Sequence, residues 1–450
     1  MTTMRRMVPG LVVIAVLMAA PAFAADMPVK APPVAAVPTA SSWDGFYLGA
    51  DAGYGIGITN FNQPFQGDFV ASHGFTGGLL GGYNHMLAPR WLAGVEADVN
   101  WGNVAHNEKF DDGFGDVLSI KLSEKEAGSL RGRFGYLLEP NTLLYITGGW
   151  SWARFSYAFA STLDGNEASN VTLNGPEVGF GAETLLGGGW SARFEYLEAF
   201  YNYGNFASPL LGTAINLLGS TVNFGTIDEK PAVGVGRFAL IYRFGAGDAA
   251  PSAAPSPTLS WNGPTIAATV AAVSATAKVD SWAAPDNAID GVGASAVLPT
   301  VLAGYDWRIA PRWVFGVDVG AAPGLSTTKI RLDWTEASHA RIGYLITPAT
   351  MVYTSVGWFG TGFETTQLLA NVSVPQQRTN ALEIGGGVEA ALDAHWAARF
   401  EYQYGIMQTI RNVIVTISGT AVPPSVQLPV SLHPEVQSAQ AGLVYHFDID

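Results

Sequence analysis

The chain has 450 residues with a formal charge of −14, only 13% charged residues, 12% aromatics, 53 glycines and no cysteine. The missing cysteines exclude thiol catalysis, thiolate metal sites and disulfides, and the scarcity of Lys and Arg excludes the basic surface that a nucleic-acid partner requires. Past the N-terminus no apolar run approaches the roughly 18 residues of a membrane helix, so high hydropathy without such helices points to strands.

Residues 1–24 carry Arg5 and Arg6, the run LVVIAVLMAA and the small-x-small site Ala22-Phe23-Ala24, the pattern of a cleaved signal peptide. The expected address is therefore outside the cytoplasm. Residues 25–42 are rich in Pro and Ala without apolar period and read as an extended leader.

A Gly-dense strand opens at Trp43-Asp44-Gly45-Phe46-Tyr47, and alternation then predicts eight strands: 46–57, 73–87, 91–101, 120–138, 142–158, 175–186, 189–203 and 232–244. The connections at 88–89, 139–141 and 187–188 are tight, whereas 58–72, 102–119, 159–174 and 204–231 are long. That asymmetry is expected of an outer-membrane barrel with short periplasmic turns and long outer loops.

Residues 246–260 form a second Pro/Ala/Ser linker, after which the pattern repeats. EVGFGAETLLGGGWSARFEY at Glu177 returns as EIGGGVEAALDAHWAARFEY at Glu383; APRWLAGVEADV at Ala88 returns at Ala310, and RFGYLLEPNTLLY at Arg133 returns at Arg341. The offsets are 206, 222 and 208, so the second copy has shorter loops. Its expected strands are 261–272, 294–309, 312–322, 332–347, 351–365, 379–392, 395–407 and 434–447. The first is the weakest, because WNGPTIAATVAAV lacks the aromatics of WDGFYLGADAGYG.

In the repeated hairpin, Trp190, Ala192, Phe194 and Tyr196 share one parity while Arg193 and Glu195 share the other. In lipid the first row faces out and the second lines the lumen. Parity extends the lumen row to Glu96, Asp98, Arg131, Arg133, Glu177, Glu183, Arg193, Glu195 and Arg237, and in the second copy to Asp318, Arg341, Glu383, Glu389, Arg399 and Glu401. Mixed charges in a narrow lumen read as a salt-bridge plug; the competing reading takes Glu183 and Glu195 as an acid/base pair.

The opening W-D-G-F-Y-L-G-A, the turn before Arg90-Trp91, the strand R-G-R-F-G-Y and the closing I-Y-R-F resemble the small outer-membrane barrel family of Gram-negative bacteria, the outer-membrane immunogenic or porin-family proteins. The resemblance covers 43–245 closely and 261–447 more loosely. It implies an eight-stranded barrel per copy, with both ends periplasmic. Members usually carry one barrel and end on an aromatic residue read by the insertion machinery, whereas here Phe447 is followed by Asp448-Ile449-Asp450.

The histidines at 73, 85, 106, 339, 395, 433 and 446 show no close ligand pair and read as scattered, so no metal or cofactor is expected. Nucleotide-binding and hydrolase motifs are absent, and no catalytic residue is expected. The expectation is an all-β outer-membrane protein of two tandem antiparallel barrels, 43–245 and 261–450, with a structural, surface-exposed role and at most slow solute passage. Its partners would be outer-membrane lipid and the insertion machinery. One sixteen-stranded porin, or a receptor or adhesin acting through loops 204–231 and 408–433 on an unknown surface ligand, are the alternatives.

Overall fold

The computed structural model describes residues 43–448 apart from 64–68, 112–116, 163–164, 207–214, 218–219, 223–226, 245–258, 281–287, 327–329, 370–371 and 418–425. The expected signal peptide, leader and most of the linker lie outside these residues.

The first copy supplies β1 Gly45–Gln63, β2 Phe69–Ala88, β3 Trp91–Asp111, β4 Val117–Glu139, β5 Thr142–Ser161, β6 Gly165–Gly187, β7 Trp190–Phe200, the short β8 Gly204–Phe206, β9 Ile215–Leu217 and β10 Ser220–Val222, and β11 Ile227–Arg243. Each long strand pairs antiparallel with the next, and β11 returns to β1 in a ladder that starts at Tyr47↔Arg243. That closes an eight-stranded barrel.

The second copy supplies β12 Gly263–Asp280, β13 Ala288–Ala310, β14 Trp313–Ala322, the short β15 Leu325–Ser326 and β16 Ile330–Leu332, β17 Thr335–Thr347, β18 Thr350–Leu369, β19 Val372–Ala391, β20 Trp396–Met407, the short β21 Ile410–Ile417, and β22 Val426–His446. Here β22 closes on β12, from Thr265↔His446 to Asp280↔Ser431. Because each copy closes on itself, the sixteen-stranded alternative is excluded.

Three expectations are corrected. The strand opening the second copy, thought weak, runs 18 residues and pairs along its length with both neighbours. Much of what read as outer loop is strand: β1 and β2, β3 and β4, and β5 and β6 remain paired well above the membrane, to Asn60↔Phe69, Asp111↔Val117 and Ser161↔Gly165. In the two regions suggested for a receptor, β8 pairs with β11, β9 with β10, and β21 with β19 and β22, while 207–214, 218–219, 223–226 and 418–425 lie outside the described residues. The hydrophobic alternation needed in lipid is not needed above it, so the sequence pattern fades where the ladder does not.

The walls carry two aromatic girdles. On β3 the outward row runs from Trp91 to Trp101, both about half exposed, with Val95 and Val99 between them. The lower girdle includes Trp190, Tyr242, Trp313 and Trp396, the arrangement expected at a membrane interface.

The barrels pack side by side, and this seam corrects the assignment of the whole outward row of β7 to lipid. Trp190 is exposed, but Phe194 and Tyr196 are buried beneath the second barrel. Tyr402 packs against Phe194 with ring centroids 5.9 Å apart, and Phe400 lies 5.8 Å from Phe180. Gly236 makes room for this contact, since a Cβ there would overlap the Tyr402 ring. Higher up the seam is polar: Gln437 Nε2 donates to Gly234 O at 3.2 Å, and Tyr402 Oη donates to Gln437 Oε1 at 2.8 Å. Gln437 has outward parity yet is 1% exposed, so the second barrel offers a partnered amide to the first instead of an unpaired one to lipid.

Candidate functional site: two occluded lumens

All fifteen charged residues placed in the lumens by parity are buried. In the first barrel they form one connected network. Arg131 on β4 contacts Glu96 at 2.8 Å and Asp98 at 2.6 Å on β3, and Glu177 and Glu195 at 3.4 Å on β6 and β7. Arg193 bridges Glu96 at 2.5 Å and Glu183 at 3.0 Å, Arg133 reaches Glu183 at 3.1 Å, and Arg237 meets Glu195 at 2.7 Å and Asp98 at 2.9 Å.

Two members were missed by the sequence reading. Arg243 pairs with Glu183, and Asp51 lies 3.5 Å from Arg237. Both sit on inward parity of the strands that close the ring, where Arg243 had served only as part of the closing motif. Aromatic hydroxyls complete the network: Tyr47 Oη donates to Glu96 and Tyr145 Oη to Glu195, each at 2.8 Å. The Arg133 guanidinium stacks over Tyr145 at 4.1 Å.

The second barrel keeps the frame and changes the cations. Arg341 pairs with Asp306 at 2.7 Å and Arg399 with Glu389 at 2.9 Å. His339 lies between Asp318 at 2.9 Å and Glu383 at 3.1 Å, and His446 is 2.7 Å from Glu389. Glu401 receives hydrogen bonds from Ser355, Gln403 and Gln440 at 3.0, 3.1 and 2.9 Å. Asp306, His339 and His446 were missed: these two histidines are lumen members, not scattered ones. The signal was available, because the offset of 208 that carries Arg133 to Arg341 also carries Arg131 to His339.

Asp306, Glu389 and His446 offer ligand atoms within 4.8 Å of one another. Both acids are already engaged by Arg341 and Arg399, so their charge is answered from within the protein.

Each lumen is stopped at its periplasmic end by the tryptophan that opens the copy. Trp43 Nε1 donates to Pro140 O and Trp261 Nε1 to Pro348 O, both at 2.8 Å. Arg243 stacks over Trp43 at 4.4 Å, and the His446 ring lies 5.5 Å from Trp261. Above the networks the lumens hold cavities of about 40 and 50 Å³, room for a few water molecules. Such an arrangement holds charges in place. Glu183 and Glu195 are each committed to arginines.

Two closed antiparallel barrels, girdled by aromatics outside and charged within, define the class: an integral membrane protein of the up-and-down β-barrel type. Residues 11–225 match the family described as outer membrane protein beta-barrel domain. The 31 kDa outer-membrane immunogenic protein of Brucella melitensis is 31% identical over 233 residues, which are 48% of this chain and 93% of that protein; the Brucella suis protein gives the same figures. The 22 kDa outer membrane protein of Rhizobium leguminosarum is 32% identical over 169 residues, 37% of this chain and 68% of that one. The chain belongs to this outer-membrane β-barrel family, and its location is the outer membrane.

Among solved structures, a Pseudomonas aeruginosa FadL homologue spans 91% of this chain and 93% of its own at 10% identity and a TM-score of 0.31. The outer membrane protein OprG of the same organism covers 43% of this chain and 100% of its own at 14% identity and a TM-score of 0.29. Scores this low lend no argument about activity.

Proposed function

We propose that the protein is a non-catalytic envelope component in which two plugged barrels, each folding as its own unit, anchor a surface of extended strand hairpins. The observation that carries this reading is the buried ion-pair network across each lumen, with water-sized voids above it among the described residues. An eight-stranded barrel is just wide enough for side chains to fill, so no path for solutes is left by the fold itself.

The relatives' description as immunogenic fits a surface accessible from outside the cell. Lipid surrounds the girdled walls. The insertion machinery would read the aromatic ends, which recur as Tyr242-Arg243-Phe244 and Tyr445-His446-Phe447. Phe447 is 45% exposed.

Liposome swelling tests the reading. Proteoliposomes should swell in isotonic arabinose no faster than empty vesicles, and swelling at the rate of a general porin would overturn it.

A further inference from the structure

The seam between the barrels is not filled along its whole height. Between the lower girdle and the Phe194–Tyr402 contact lies a cavity of about 420 Å³, walled by Ala192, Phe194 and Phe238 of the first barrel and by Val352, Gly386 and Tyr402 of the second. The surface it exposes is almost wholly apolar, although the buried Glu183–Arg193 ion pair of the first lumen also borders it. An apolar cavity of about 150 Å³ already holds benzene, so this one has room for a chain of many methylenes.

Its position identifies the occupant. Ala192 and Phe194 lie two and four residues above Trp190 of the lower girdle, which places the cavity in the periplasmic half of the hydrocarbon band. Phe238 and Ile384 on its lining are 56% and 66% exposed, so it opens sideways into the bilayer. Whatever fills it comes from the leaflet alongside.

The floor is polar. Thr142, which lines the cavity, is 3.2 Å from Thr350 Oγ1, and Thr350 donates to Glu139 Oε2 at 2.7 Å, with Thr347 as a second donor. Glu139 is only 4% exposed, and its Oε1 has no hydrogen-bond partner among the described residues. A buried carboxylate oxygen without a partner is costly, and a cationic donor at the membrane surface would satisfy it.

We infer that this cavity binds one acyl chain of a periplasmic-leaflet phospholipid bearing a primary ammonium headgroup, with the ammonium directed to Glu139. The lipid acts as a third packing element between the barrels. The inference needs only the outer-membrane placement and holds whether or not the lumens conduct.

The test reconstitutes the full chain in vesicles of phosphatidylethanolamine or phosphatidylglycerol with identical chains, re-extracts it in mild detergent, and counts retained phospholipid by native mass spectrometry. The wild type should retain phosphatidylethanolamine several-fold more than phosphatidylglycerol. Gly386→Leu fills the cavity from the second barrel and Ala192→Leu from the first; each that shows the folded band by heat-dependent gel mobility should lose the retained lipid. Glu139→Gln should keep a lipid but lose the headgroup preference. A wild type that retains none, or cavity-filled variants that retain as much as the wild type, would overturn the acyl-chain site; an unchanged preference in Glu139→Gln would overturn the headgroup assignment.

Discussion

The two lumens share one frame and differ in their cations. The first sets five arginines, 131, 133, 193, 237 and 243, against six carboxylates, Asp51, Glu96, Asp98, Glu177, Glu183 and Glu195. The second sets only Arg341 and Arg399 against Asp306, Asp318, Glu383, Glu389 and Glu401. Register shows where the others went: Arg131 corresponds to His339, Arg237, which faces Glu195, to Gln440, which faces Glu401, and Arg243, beside Trp190 and Tyr242, to His446 beside Trp396 and Tyr445. Three permanent charges became two titratable rings and an amide, and of the six carboxylates Asp51 and Asp98 became Thr269 and Gly320, so the copies teach that the frame tolerates weaker cations while four of its carboxylates persist. The first lumen is held by charge, the second partly by neutral hydrogen bonds.

The sharpest way to break this contrast is to remove a central arginine. Arg193→Ala strands Glu96 and Glu183 and should cost about 3–5 kcal/mol of stability. Arg399→Ala should cost less, because Glu389 keeps His446 and Arg341 nearby. Urea titration of the folded gel band ranks the pair; equal losses would erase the distinction.

Exchanging the cations comes next. Arg131→His should destabilise the first barrel by about 1–3 kcal/mol, since one ring cannot serve four carboxylates. His339→Arg should leave the second barrel unchanged or firmer. If both swaps destabilise alike, the lumens are shaped by packing and not by charge.

Gly236→Leu addresses the seam instead of the lumens. Overpacking against Tyr402 should cost about 1–3 kcal/mol while leaving each ring closed, and cross-linking between cysteines placed at Gln437 and Glu198 should fall.

The smallest effect separates the two forms of one turn. The first copy uses Gly187, Gly188 and Gly189, all with positive φ, whereas the second uses Asp393-Ala394-His395. Backbone N–H groups of His395 and Trp396 donate to Asp393 at 2.8 Å and hold its carboxyl below the usual range. A folded value below the unfolded one gives stability that is complete above the unfolded pKa and is lost as pH falls through the folded one. The difference between wild type and Asp393→Ala should therefore be constant near neutrality and vanish in acid, with no counterpart in the glycine turn.

Parity made the lumen residues legible, since Arg193 and Glu195 can face only away from Trp190 and Phe194 on a strand. It could not show which outward rows meet another barrel: Tyr196 and Gln437 look lipid-facing until the seam covers them. The same cover explains β12, whose upper outward residue Ser274 is 3% exposed and needs no aromatic there. His339 was legible only through the repeat offset, because its role lies in the position it inherits.

Single-channel recording in planar bilayers tests the central claim that charge and tryptophan close both lumens. The full chain should show no steady conductance across the physiological voltage range, while Arg131→Ala combined with Trp43→Ala should give small, flickering events from the first barrel alone. Large, stable steps of porin size from the unmodified chain would contradict the account.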